Sequence, residues 1–137
     1  MTFDFEIALT ESGFTDFDAA GDEIPGSIDR VLAAGVTFAD SNGFYANARA
    51  RHFGPRPLIE DASVESDSST IFNVGLGLRR SNLDWRIDVL NVFDSNDDDI
   101  TYLYASRLPG EPDEGIEDRH FHPIEPRTVR SYVTWRF

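Results

Sequence analysis

The chain has 137 residues, 12 basic against 25 acidic, and a formal net charge of -13. That charge argues against a phosphate-binding surface, so nucleic acid is not an expected partner. With no Cys there is no disulfide framework, no thiolate metal site and no Cys nucleophile. The longest apolar run, Val31 to Ala39, is far short of the roughly 20 residues of a spanning helix. The opening Met-Thr-Phe-Asp-Phe-Glu, with no basic residue before Arg30, does not have the pattern of a signal peptide.

The predicted elements are strands. Thr2 to Leu9 alternates, with Phe3, Phe5, Ile7 and Leu9 on one face and Asp4, Glu6 and Ala8 on the other. Apolar residues that recur every second position mark a strand with one apolar face. Val31 to Phe38 repeats the pattern with Leu32, Ala34, Val36 and Phe38. Phe44 to Phe53 sets Phe44, Ala46, Ala48 and Ala50 against Tyr45, Asn47, Arg49 and Arg51. Thr70 to Arg80 sets Phe72, Val74, Leu76 and Leu78 against Asn73, Gly75, Gly77 and Arg79. Leu83 to Phe93 sets Leu83, Trp85, Ile87 and Val89 against Asp84, Arg86 and Asp88. Arg127 to Phe137 sets Val129, Val133, Trp135 and Phe137 against Arg130, Tyr132, Thr134 and Arg136. No stretch has a convincing helical period. The fold class is all-β, an antiparallel up-and-down meander of about six long strands.

The connections alternate in length. Asp40-Ser41-Asn42-Gly43 and Ser81-Asn82 read as hairpin turns, and Gly43 suits the positive φ such turns need. The others, Thr10 to Ile28, Gly54 to Ser69 and Asp94 to Pro126, are long. Short turns at one end and long loops at the other is the pattern of an outer-membrane barrel. Charge sorts the same way. Of the 25 acids, only Asp4, Glu6, Asp40, Asp84 and Asp88 lie away from the long connections, with Asp29 at the edge of one. A solvated loop face is the simplest account of that excess, and attraction of cations at a cell surface is the sharper one.

Alternation alone does not say which face meets water. In a soluble barrel or sandwich the apolar face points inward; in a membrane barrel it meets lipid and the charged face lines a wet lumen. Strand length favours the second. About 9 to 11 residues match a tilted bilayer crossing, against 5 to 6 for ordinary strands, and the last three predicted strands all reach that length. Aromatic placement favours it too: Phe38, Phe44, Trp85, Trp135 and Phe137 all sit toward the short-turn end, as an interfacial belt would. On this reading Arg49, Arg51, Arg79, Asp84, Arg86, Asp88, Arg130 and Arg136 face the lumen.

The ending Val129-Arg130-Ser131-Tyr132-Val133-Thr134-Trp135-Arg136-Phe137, with a terminal Phe on an alternating strand, resembles the assembly signal of outer-membrane barrels. Arg49-Ala50-Arg51-His52-Phe53-Gly54-Pro55-Arg56-Pro57-Leu58 and Asp88-Val89-Leu90-Asn91-Val92-Phe93-Asp94 are similar to segments near the end of TonB-dependent outer-membrane receptors. So are Tyr104-Ala105-Ser106-Arg107-Leu108-Pro109-Gly110-Glu111-Pro112, His120-Phe121-His122-Pro123 and Glu125-Pro126-Arg127. The resemblance covers about Ile24 to Phe137. It implies that residues 1 to 137 form the C-terminal section of such a receptor barrel, in the outer membrane of a Gram-negative cell. It implies energy-coupled uptake of a scarce ligand such as a ferric siderophore. It gives Val133, Trp135 and Phe137 the role of assembly signal. The implied partners are outer-membrane lipid, the barrel-assembly machinery, and a plug and further strands; TonB would be reached only through an N-terminal part. That family has about 22 strands, a plug and a TonB-contacting box. Six strands with no plug, box or leader make an incomplete barrel, below the eight of the smallest closed one. The alternative from a different class is a soluble β-barrel or sandwich binding a small ligand in its apolar interior.

No catalytic set, phosphate-binding loop or cofactor motif is legible. His120 and His122 could offer two imidazoles on one side of an extended segment, but a metal site needs more ligands and His52 is placed in another loop region. Asp94-Ser95-Asn96-Asp97-Asp98-Asp99 begins like a calcium loop. Asp99 stands where Gly is wanted and Ala105 where Glu is wanted. Tyr102 and Tyr104 alternate with Leu103 and Ala105, which suggests a short strand before Arg107, whereas Pro109, Pro112, Pro123 and Pro126 forbid a central strand. Gly75 and Gly77 are read as room for neighbouring Arg side chains. The turn at Ser81-Asn82 fixes a register: Arg80 opposite Leu83, Leu78 opposite Trp85, Leu76 opposite Ile87, Val74 opposite Val89, Arg79 opposite Asp84, Gly77 opposite Arg86 and Gly75 opposite Asp88.

Overall fold

The computed structural model describes residues 1–15 and 21–137. Its strands are β1 (Thr2–Leu9), β2 (Arg30–Ala39), β3 (Phe44–Phe53), β4 (Ser69–Arg79), β5 (Leu83–Leu90), β6 (Asp98–Ser106), β7 (Ile116–Pro123) and β8 (Thr128–Trp135). No helix occurs among the described residues. One six-stranded sheet runs β1-β2-β3-β4-β5-β8, every neighbour antiparallel, and β6-β7 forms a separate two-stranded ribbon. The six predicted strands are thus present in the predicted meander order. The sheet does not close: β1 and β8 each keep a free edge.

The short turns form as their residues dictate. Gly43 takes a φ of 84°, and a Cβ there would run into the Arg79 carbonyl. Asp40 closes this turn twice: its N–H donates to the Phe44 carbonyl, and its carboxylate accepts the Phe44 N–H, each at 2.9 Å. At Ser81-Asn82 the Arg80 N–H donates to Leu83 at 2.7 Å and Leu83 returns the bond at 3.3 Å. The register of β4 on β5 is the expected one at every pair from Arg79–Asp84 to Val74–Val89.

Two expectations need correction. The strand predicted over Leu83 to Phe93 ends at Leu90, because Asn91 at φ 48° and Asp94 at φ 55° turn the chain away. The last strand is likewise shorter, Thr128–Trp135. β5 and β8 therefore have 8 residues each, and within the six-stranded sheet the bilayer-matching lengths belong to β2 and β3 with 10 and β4 with 11. Second, the long connection from Asp94 to Pro126 is not all loop. The expected strand at Tyr102 and Tyr104 is β6, and β7 returns beside it through His120-Phe121-His122. Pro109 and Pro112 sit in the tip between them, while Pro123 ends β7, so none occupies a central position.

One row of paired residues crosses the whole sheet: Phe3, Val36, Ala48, Val74, Val89 and Val129, all apolar. From that row β1 extends six residues toward the long-loop end and one toward the turn end; β8 extends one and six. The strand ends are therefore displaced by five residues over five strand-to-strand steps.

The core is inverted relative to a water-soluble sheet. Among the described residues the one buried hydrophobic side chain is Leu58, at 6% exposure, in the β3–β4 connection. The sheet's apolar face is uncovered: Phe3, Phe5, Ile7, Leu9, Phe72, Leu76, Trp85, Val129, Val133 and Trp135 are all exposed. The buried groups of the sheet are Ser69, Gly75, Gly77 and Asp88, all on the opposite face.

Candidate functional site

The charged face gathers the sequence-predicted polar set. Asp84 at the start of β5 is its centre. Tyr45 Oη donates to Asp84 Oδ1 at 2.8 Å, Arg79 Nε donates to Oδ2 at 2.8 Å, and the Arg79 guanidinium lies 5.3 Å from the centre of the Tyr45 ring. One turn of the pleat away, Arg86 Nε donates to Asp88 Oδ1 at 2.7 Å. These groups, with Tyr132 and Thr134 from β8, line a polar recess of about 400 Å³. Arg49 faces Asp4 at 3.8 Å, and Arg130 holds both oxygens of Glu125 at 2.8 Å. Arg51 shares this face through its pairing with Ile71, and Arg136 follows β8 with its N–H donating to the Asn82 carbonyl.

The glycines of β4 serve a different neighbour from the one expected. A Cβ on Gly77 would collide with the Tyr45 ring, and one on Gly75 would meet the Asp88 carboxylate at 2.6 Å and the Asn47 amide at 2.9 Å. They make room for Tyr45, Asp88 and Asn47 rather than for arginines. The Tyr45–Asp84 link spans two strands, so pair-by-pair reading of the hairpin did not reveal it.

The five predicted aromatics cluster at the turn end. Phe38 and Phe44 flank the first turn with ring centroids 6.2 Å apart. Trp85 pairs with Val133, and its Nε1–H donates to Ser131 Oγ at 3.1 Å. Trp135 pairs with Leu83, and Phe137 projects fully exposed beyond it. Val133 and Trp135 thus stand together on the apolar side of the free β8 edge, with Phe137 exposed just beyond its end.

Above the sheet Asn91 is a joint the sequence did not single out. It is 3% exposed. Its amide donates to the Ser95 carbonyl at 3.0 Å and the Glu125 carbonyl at 3.1 Å, and its N–H donates to Asn73 Oδ1 at 2.9 Å. It ties β4, the start of the ribbon and the entry to β8. An Asn at a strand end is the available signal, since Asn tolerates φ > 0 and can bond neighbouring backbone. The acids of the failed calcium loop do related work. Asp97 accepts the Thr70 N–H at 2.8 Å and Asp94 accepts the Arg127 N–H at 2.8 Å. His120 stacks on Tyr104 with centroids 3.8 Å apart, and His122 approaches Asp99 at 3.6 Å. His52 lies in β3, not in a loop, and shares a hydrogen bond with Thr70 Oγ1 at 2.9 Å. Among the described residues no group of three or more such ligands could hold a metal ion. In the β3–β4 connection the Ser63 N–H donates to Asp61 at 2.9 Å and holds its carboxyl below the usual aspartate range.

No family model, curated protein or solved structure matches the chain.

Proposed function

We propose that the chain is a section of the wall of a TonB-dependent outer-membrane receptor, working in energy-coupled uptake of a scarce ligand such as a ferric siderophore. The observation that carries this reading is the inverted sheet: an uncovered apolar face backed by a face where ionised groups pair and Asp88 is buried. In water, leaving this many aromatic and aliphatic side chains uncovered forfeits the main driving force of folding. In lipid the same arrangement is the stable one, because the apolar face needs no cover and the polar groups turn to a wet interior. The stagger supports it. One residue of rise, about 3.3 Å, per strand spacing of about 4.8 Å corresponds to a tilt of roughly 35°, at the edge of the range of membrane barrels. The ordered segments that resemble the receptors' C-terminal part supply the family. The two free edges fit a longer wall, since bare strand edges in lipid leave backbone groups unsatisfied.

The alternative, a soluble barrel or sandwich, binds its ligand in an apolar interior, and the described residues enclose none beyond Leu58. Membrane extraction tests the choice. In a full receptor bearing this segment, the segment should stay in the membrane fraction through an alkaline wash and leave it only with detergent, and the chain alone should stay dispersed only in detergent. A monodisperse, detergent-free monomer would overturn the proposal.

A further inference from the structure

On the apolar face Ala34 of β2 pairs with Ala50 of β3, and Ala48 lies two residues along. Their short side chains leave a groove of about 390 Å³ in an otherwise bulky surface, walled by Phe3 on one side and by Phe72 and Phe93 on the other. Phe3 and Phe93 are 71% and 70% exposed, and Phe93 meets Phe72 edge-on with centroids 4.9 Å apart. Toward the long-loop end the same alternation leads to His52, two residues beyond Ala50, and to Arg30, four beyond Ala34. These two are the only ionisable side chains that the six strands place on this face, and both carry or can carry positive charge. Arg30 has no carboxylate within ion-pair distance among the described residues. Four residues of strand span roughly 13 Å, close to the depth of one leaflet, about half of a 30 Å hydrocarbon core.

We propose that this groove and its basic end form a site for one phosphate-bearing acylated lipid. The inference rests on the reading that this face meets the bilayer. An acyl chain fills the groove over Ala34, Ala48 and Ala50, and the phosphate accepts hydrogen bonds from the Arg30 guanidinium, with His52 beside it. Charge selects the occupant: elsewhere at this end the long connections are rich in carboxylates and repel anions, whereas this strip of the wall carries cations alone. A planar guanidinium suits a phosphate, and a shallow apolar trough suits a flexible chain better than a rigid protein ridge.

The test uses the full chain in phosphatidylcholine nanodiscs doped with bisphosphorylated lipid A, with retained lipid counted by native mass spectrometry after detergent release. One lipid A per chain should be retained, in preference to phosphatidylcholine. Arg30→Gln and Ala50→Phe should each lower retention about tenfold, the scale of one charge-assisted bond or one lost cavity. Strand content is checked by circular dichroism, and Ala50→Leu replaces Ala50→Phe if the larger ring disturbs folding. Dephosphorylated lipid A should be retained no better than phosphatidylcholine, and inorganic phosphate should not compete. Equal retention by wild type and variants, loss in only one of the two variants, or equal retention of the dephosphorylated lipid would overturn the site. Competition by inorganic phosphate would assign Arg30 to a free anion and overturn it as a lipid site. A chain that stays monodisperse in water and does not enter the discs is a different result, and overturns the membrane reading beneath it.

Discussion

At the scale of single residues the polar face depends on small side chains making room for large ones. Gly77 lies under the Tyr45 ring, which reaches across to Asp84. Gly77→Ala should cost about 1–3 kcal/mol, the usual penalty for overpacking a filled site. In a Tyr45→Ser background the same change should cost much less, because the ring it strikes is gone. A double-mutant cycle read from urea melts in detergent measures the difference; equal costs in both backgrounds would refute the contact. Asn91 acts through hydrogen bonds and backbone together. Asn91→Ala leaves the Ser95 and Glu125 carbonyls without their donor and puts an ordinary side chain at φ 48°, so about 1–3 kcal/mol should be lost. Asn91→Gly relieves the backbone but not the bonds, and should fall between the two. Asp61 bears on pH. Because the Ser63 amide lowers its folded-state value, its small contribution to the loop is fully present above the unfolded value. That contribution is lost as pH falls through the depressed one. An NMR titration should place its midpoint below that of a free aspartate, and a midpoint above it would contradict the hydrogen bond.

At the scale of elements, what was legible in the sequence was what period two and turn chemistry encode. Gly43 and the Ser81-Asn82 turn set two hairpins, and apolar alternation then forced the pairing of Leu78 with Trp85 and Val74 with Val89, since a one-residue slip exchanges the faces. β7 is hidden because three consecutive charges, Glu117-Asp118-Arg119, precede His120-Phe121-His122, so no apolar residue recurs every second position, and because nearby prolines suggest loop. The end of β5 is not legible because Phe93 falls on the parity of the apolar face while the backbone has already turned at Asn91. The polar recess was half legible: Arg79, Asp84, Arg86 and Asp88 follow from the hairpin, but Tyr45 and Tyr132 join from strands on either side of it. β8 carries the prediction that belongs to this scale. Its outer edge is free, its apolar side presents Val133 and Trp135, and Phe137 is exposed beyond its end. In a full receptor bearing this segment, deleting Phe137 should reduce the amount of folded, heat-modifiable barrel in the outer membrane. Arg136→Ala, on the other face, should not. Unchanged assembly without Phe137 would remove the assembly role from this end.

At the scale of the whole molecule the two solvents of the sheet can be told apart by depth. β4 has 11 residues and Val74 stands at its middle, in the row that crosses all six strands, whereas Leu78 lies near the short-turn end on the same face. Asn73, next to Val74, faces the other way. In a bilayer an arginine at mid-depth of the lipid face costs about 2–4 kcal/mol, and one near the interface about 0–1 kcal/mol. Val74→Arg should therefore be strongly destabilising and Leu78→Arg nearly neutral when unfolding is followed in lipid vesicles; Asn73→Arg, which removes the acceptor of the Asn91 N–H, should cost about 1 kcal/mol for that bond and nothing for depth. An apolar face left in water predicts another order. There an arginine at Val74 costs no more than one at Leu78, because both positions meet the same solvent and a charge on an exposed sheet is readily hydrated. A soluble sandwich, in which a second layer covers that face, predicts a third: both Val74→Arg and Leu78→Arg are severe, since each buries a charge. Only a lipid-facing wall makes the penalty fall from Val74 to Leu78, so a flat profile along β4 would overturn the membrane assignment of the whole sheet.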